Sequence, residues 1–408
     1  MTAHLMVGRR PIFTADLEVT GYHIEFVDPQ HEGISVPADR AALERAGGPF
    51  GFDALARDRE LFITVDADIL ASGSLPLPSD RTVVEIPSHL VGDAATLDAC
   101  RHLIDQGYRI ACGPLDDLPS AAPLLELASF VKVQCAPPEV AAFGATISAL
   151  EEHLIDLAQS PGNFTVIAQG VSARSQMKAP GRTSFDLFEG HLLSTPVTVV
   201  TEALNSNRIT CMRLVEKLGD PESSTTELER IVETDAGLSY RLLHVSGLGS
   251  AGGLRRPVKS IREAVVLYGR QRLYAWLILM LVADARGGAP EQLTIAMTRA
   301  RHAELLARTA CPAQADSAFT VGMLSAMDLL LGLPMTEIVR RVAVTDDLVA
   351  ALLERSGPLG AVLADVCAWE TGSCRLSTGA PHEEVEASYI EALAWAGDLC
   401  ATVADAPV

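Results

Sequence analysis

The sequence has no run of Lys or Arg, no Cys-x-x-Cys pair, no His-Asp dipeptide and no apolar stretch long enough to span a bilayer. Each absence excludes something. With 32 Lys and Arg against 52 Asp and Glu, the net charge is −20, which argues against nucleic acid and anionic membrane surfaces as partners. The longest apolar run, Ala275–Ala283, falls well short of the ~20 residues a membrane helix needs and reads as a buried core helix. Met1–Met6 lacks a basic segment leading into an apolar one, so no secretion signal is read and a cytoplasmic location is expected. The eight cysteines (Cys100, Cys112, Cys135, Cys211, Cys311, Cys367, Cys374 and Cys400) are scattered, and are expected to be buried, reduced thiols. The glycine-rich stretch Gly249–Gly253 has no preceding strand and no Gly-Lys-Ser/Thr, so it reads as a turn and not a phosphate loop.

What is present is a folding composition, 48% hydrophobic over 408 residues, enough for two or three domains. The first half alternates. Strand candidates fall at Leu5–Arg9, Val19–Val27, Leu61–Val65, Thr82–Ile86, Tyr108–Cys112, Phe130–Cys135, Phe164–Ala168 and Phe185–Phe188. Helical segments lie between most of them, at Pro37–Ala46, Ala94–Gln106, Ala122–Ala128 and Glu139–Gln159, with a shorter one near Ser172–Lys178. Strands alternating with helices imply a parallel sheet, and about eight of them imply a TIM-type α/β barrel with its chemistry at the C-terminal strand ends. From Val197 onward the pattern is helical. Ser224-Thr-Thr-Glu227 fits a capping box before Leu228–Thr234, and Ala296–Ala310, Ala318–Leu331, Pro334–Val342, Asp346–Glu354, Pro358–Glu370 and His382–Thr402 extend the array. Domains are therefore expected at 1–196 and 197–408.

The junction Thr183–Pro196 carries F-D-x-F-x-G-x-x-x-S-x-P, which resembles the last barrel strand of an EAL domain, the cyclic di-GMP phosphodiesterase fold, leading into an HDOD domain. The EAL resemblance covers residues 1–196. It implies acidic and amide side chains holding two divalent metals at the barrel mouth. Against that pattern Arg10 stands where a nucleotide-contacting Gln is usual, His23 replaces the metal-binding Glu, and Val27 replaces a phosphate-binding Arg. Thr64 replaces an Asn, Gly113 and Pro114 replace two Asp, Gln134 replaces an Asp, and Gln169 and Ser172 stand at two acidic positions. Glu85 and Lys132 keep their identity, as a structural ion pair or as remnant ligand contacts. Glu25, two residues beyond His23, lies on the same strand face as a conceivable shifted ligand, and Asp116-Asp117 read as a loop pair capping the following helix.

Leu228–Ala285 resembles an HDOD domain through Leu228–Asp235, Leu238–Val245, Val258–Ala264 and Leu267-Tyr-Gly269. His244 and His302 read as hydrogen-bonded structural histidines. One retained carboxylate cannot replace the hydration of two hard cations. The expectation is therefore a protein that is not an enzyme, with no catalytic residue, metal or cofactor. It would regulate bacterial signalling through unidentified protein partners. A cyclic di-GMP receptor using the barrel mouth, with Arg10, Lys132 and Arg9 offering positive charge to phosphates, is the alternative, followed by a phosphodiesterase with a shifted site around Glu85; Arg10, Glu85 and Lys132 are the candidate vestigial ligand-binding residues. A homo-oligomer is compatible with the helical surface.

Overall fold

The structure is a computed structural model that describes residues 6–28, 35–47, 51–114, 118–135, 164–177, 185–194, 224, 290–331, 334–341, 345–373 and 375–404. The chain forms two compact units. One comprises Met1–Thr195 with Glu370–Cys374, the other Pro196–Trp369 with Arg375–Val408. The helical expectations between Val197 and Ala285, the segment Glu139–Gln159, His244 and the pair Asp116-Asp117 lie outside the described residues.

The first unit is built on β1 (Met6–Phe13), β2 (Val19–Val27), β3 (Ser35–Val36), β4 (Glu60–Thr64), β5 (Thr82–Ile86), β6 (Arg109–Cys112), β7 (Phe130–Gln134), β8 (Thr165–Gln169) and β9 (Leu187–Glu189). Their order is β1-β9-β8-β7-β6-β5-β4-β2-β3, and the further pairing of β1 with β2 closes eight of them into a barrel, with β3 a short appendage. Strands β2 and β4 through β9 pair in parallel, as the alternation with helices implies. The entry differs: β1 runs antiparallel to both β2 and β9. A tight turn explains it. Thr14 N–H bonds Glu18 O, Leu17 N–H bonds Thr14 O, and Leu17 takes a left-handed φ of 66°.

The outer helices start where short acidic side chains can cap them. Asp39 accepts from Ala42 N–H at 2.7 Å, Asp66 from Ile69 N–H at 2.7 Å and Asp93 from Thr96 N–H at 2.9 Å. Two short helices were not foreseen, Gly51–Ala56 and Ala67–Ser72. Neither reaches two turns, too short for hydrophobic periodicity to declare itself.

Inside the barrel, side chains alternate between interior and exterior, so the register sorts them into layers. Ile12, Phe62, Val83, Ala111, Phe130 and Ile167 form one buried apolar cluster, with Leu187 packed against it. Phe62 and Phe130 meet edge to face with centroids 5.0 Å apart. One step toward the C-terminal strand ends, the same inward faces carry Thr64, Glu85, Lys132, Gln169 and Glu189. A dry floor thus lies beneath a polar layer.

Among the described residues of the second unit, helices run at Pro290–Ala310, Ala315–Leu324, Met327–Leu331, Met335–Arg341, Asp346–Glu354, Gly357–Glu370 and His382–Ala404. The segment expected as one helix, Ala318–Leu331, is broken at Ser325, whose hydroxyl donates to Gly322 O at 2.6 Å. Ala296, Ala300, Ala303 and Ala307 make a small-residue stripe against which Gly322 packs. A Cβ at Gly322 would lie 2.6 Å from Arg299 O, so only glycine permits this close helix approach. Asp365 is wholly buried and accepts from the Ser377 N–H, the Thr378 N–H at 3.0 Å and the Thr378 hydroxyl. It staples the polar loop ahead of the last helix. Asp365→Ala removes the shared acceptor of these part-buried donors and is expected to cost about 1–3 kcal/mol, read as a lower urea midpoint with unchanged slope.

Candidate functional site

The polar layer converges on Glu189, at the end of β9 and fully buried. Lys132 Nζ from β7 lies 2.7 Å from Glu189 Oε2 and also pairs with Glu85 Oε2 from β5. His23 Nδ1 from β2 is 3.0 Å from Glu189 Oε1, while its Nε2 is 3.3 Å from Thr64 Oγ1 and 3.7 Å from Glu85 Oε2. Gln169 Nε2 donates to Glu189 Oε1 at 3.1 Å. Arg10 from β1 pairs with Glu25 and reaches Glu189 Oε1 at 3.6 Å. Phe62 closes the remaining side of Lys132, its ring centre 5.4 Å from Nζ.

Electrostatics follow from burial against pairing. Burial alone would push the Lys132 ammonium down, but Glu189 and Glu85 outweigh it and hold it above the ordinary lysine value. Burial would likewise raise the Glu189 carboxyl, yet Lys132, His23 and Arg10 hold it well below the usual carboxylate range. His191, just past β9, is pushed down by its burial and by Arg10, against the opposing pull of Glu25, Glu189 and Glu370. Burial also raises the thiols of Cys112 to about 12 and of Cys100 and Cys135 to about 11, so these stay protonated and inert.

Of the residues singled out in the sequence, the structure brings together Arg10, His23, Thr64, Glu85, Lys132 and Gln169. It adds Glu25 through Arg10, on the face that its spacing from His23 requires. Gly113 lies beside Glu85, where an added Cβ would come within 3.6 Å of Glu85 Oε1, and Pro114 follows it off β6. The remaining three take no part in the polar network. Val27, the last residue of β2, is buried opposite Met6. Gln134 is exposed, its Nε2 donating to Cys135 O, and Ser172 bonds Gln176. His302 is fully buried beside Tyr389, with the Val385 backbone as its polar neighbour. The centre of the network, Glu189, was missed. Its signal was period two: Leu187 and Glu189 share a strand face, and Leu187 already packs on the apolar floor.

The HDOD domain family model matches residues 206–344. A Vibrio cholerae protein named cyclic di-GMP phosphodiesterase CdgJ is 26% identical over 407 residues, covering 96% of this chain and 92% of that one. The chain has the EAL-HDOD architecture. Another relative of this EAL-HDOD chain, YuxH of Bacillus subtilis, is 25% identical over 97% of this chain and 98% of its own. Among solved structures, an EAL domain protein from Listeria monocytogenes aligns with a TM-score of 0.34 at 15% identity, covering 46% of this chain and 86% of that one.

CdgJ corrects one expectation. A relative matched along nearly its whole length is named for turnover, which overturns the reading that the EAL-HDOD chain is not an enzyme. That reading also counted one carboxylate at the retained motif positions, whereas Glu25, Glu85 and Glu189 all stand in one connected network.

The two metals that the EAL resemblance implies would have to be held by these oxygens. Glu85 and Glu189 share the Lys132 ammonium, and Glu189 and Glu25 share the Arg10 guanidinium. Among the described residues no group of three His, Cys, Asp or Glu is placed to hold a metal ion. The described side chains do not fit the metal pair. No helix among the described residues is long and apolar enough to cross a membrane.

Proposed function

We propose that the barrel mouth binds cyclic di-GMP and that the EAL-HDOD chain works in cyclic di-GMP signalling through that site. The observation that carries this reading is a polar layer, at the C-terminal strand ends, with unmet hydrogen-bonding groups. Arg10 Nε and Gln169 Oε1 are buried atoms without a hydrogen-bond partner among the described residues. Buried polar groups are nearly always satisfied, so these two atoms have hydrogen bonds left to make with a ligand. The two are complementary in kind. A guanidinium N–H donates to a phosphate oxygen, and an amide oxygen accepts from a base N–H or a ribose hydroxyl.

Arg10 is the cation able to move, since its side chain is 22% exposed while Lys132 is closed in. A phosphodiester would compete with Glu25 for it, a charge-for-charge exchange that leaves the inner network intact. The name of CdgJ supports the choice of dinucleotide.

Calorimetric titration of the full chain with cyclic di-GMP tests the reading, with assay of the same samples for linear product. Binding is expected for the wild type. Arg10→Ala is expected to weaken it by about 10–100-fold, the worth of a hydrogen bond to a charged group. Linear product would extend the reading to turnover. No heat with wild-type protein, or equal affinity in Arg10→Ala, would overturn it.

A further inference from the structure

Two buried carboxylates that face each other across a barrel need a cation between them. Glu85 and Glu189 are nearly or wholly buried, and both reach the same Lys132 nitrogen through their Oε2 atoms. Lys132 is itself fully buried, with its ammonium over the Phe62 ring, 5.4 Å from the ring centre. The outer oxygen of Glu189 is also committed, to His23, Gln169 and Arg10. We propose that Lys132 is the resident cation of the barrel mouth, standing between Glu85 and Glu189 where a divalent metal would otherwise be needed.

The reasoning is competitive. An incoming Mg²⁺ or Mn²⁺ must draw both Oε2 atoms to itself, and it can do so only by expelling the ammonium. That ammonium is tethered to β7 and has no solvent path, since none of its side chain is exposed. Expulsion would leave it buried and unpaired, which costs several kcal/mol before any metal–oxygen bond is counted. Lys132 therefore sets the metal affinity of this place. Removing it should uncover a divalent site made of Glu85 and Glu189.

The inference does not depend on cyclic di-GMP. Titration with Mn²⁺ alone, read by the electron paramagnetic resonance of free manganese, tests it on the full chain. Wild type and Glu85→Gln are expected to bind manganese equally, because weak sites on this acidic surface are common to both. Lys132→Ala is expected to gain a site at least about tenfold tighter than any in the wild type, lost again in Lys132→Ala/Glu85→Gln. A Glu85-dependent manganese site in the wild type would overturn the proposal, as would a folded Lys132→Ala that gains none. The wild-type comparison stands whether or not Lys132→Ala folds. Dinucleotide binding can fail or succeed independently, since it is read by heat from another ligand.

Discussion

Lys132→Met is expected to lower the unfolding free energy of the barrel unit by about 3–5 kcal/mol at neutral pH, the largest stability effect of any single substitution in the polar layer. Methionine fills much of the same volume and packs well beside Phe62, so lost packing is a small part of the cost. The dominant part is electrostatic. Glu85 and Glu189 would stay buried with their shared cation gone, leaving His23 and the more distant Arg10 to compensate. Tyrosine fluorescence or far-ultraviolet dichroism in urea reads the transition, because all three tryptophans lie beyond the barrel, at Trp276, Trp369 and Trp395.

The pH dependence separates charge from packing. In the wild type the Glu189 carboxyl is held well below its ordinary value, so its contribution is present at neutral pH and is lost as pH falls through the folded value. In Lys132→Met the same carboxyl lacks the cation that holds it down, and protonation relieves the repulsion. The gap between wild type and variant should therefore narrow as pH is lowered from 7 toward 5. A pure packing defect would leave the gap constant. In Lys132→Met/Glu189→Gln the cost should be smaller than the sum of the two single costs, since each single change strands the partner that the double change removes.

Much of this architecture was legible in the sequence, and the reasons for the remainder are specific. Val19–Val27, Thr82–Ile86 and Asp346–Glu354 have the same bounds in sequence and structure because apolar periodicity and end signals coincide there. The first strand was expected at Leu5–Arg9 and runs on through Pro11 to Phe13. In the barrel β1 pairs with β9 only at Ile12 and Phe13, so the missing N–H of Pro11 falls where one side of the strand has no ladder. The candidate site was half legible. Resemblance to a motif pointed to His23, Glu85, Lys132 and Gln169 one position at a time. It could not show that they meet, because the contacts join distant parts of the chain, as His23 and Glu189 do across 166 residues. Glu189 lies one residue past the expected strand Phe185–Phe188. Only its register opposite Ile12 and Gln169 turns it inward.

His302 gives the second unit a different acid sensitivity. Its imidazole is fully buried, with the ring 5.6 Å from that of Tyr389. Burial pushes its pKa down to about 3, the Val385 backbone opposing only in part. The unfolded chain takes up that proton near the ordinary value of about 6.5. Between these values the unfolded state binds more protons than the folded one, so stability rises with pH there and falls as pH drops below about 6.5. The slope is about 1.4 kcal/mol per pH unit, or roughly 2 kcal/mol lost by pH 5. Asp328, whose carboxyl burial raises, slopes the other way but is common to wild type and variant. Replacing the ring by one that cannot ionise, as in His302→Phe, keeps the packing against Tyr389 and should flatten the dependence between pH 7 and 5. Tryptophan fluorescence follows this unit alone, since no tryptophan precedes residue 276. Equal slopes in wild type and His302→Phe would mean that the proton taken up on unfolding belongs to another group. A steeper wild-type slope, with the variant as stable or more stable at pH 5, is the expected result: a buried neutral imidazole is a cost that acid exposes.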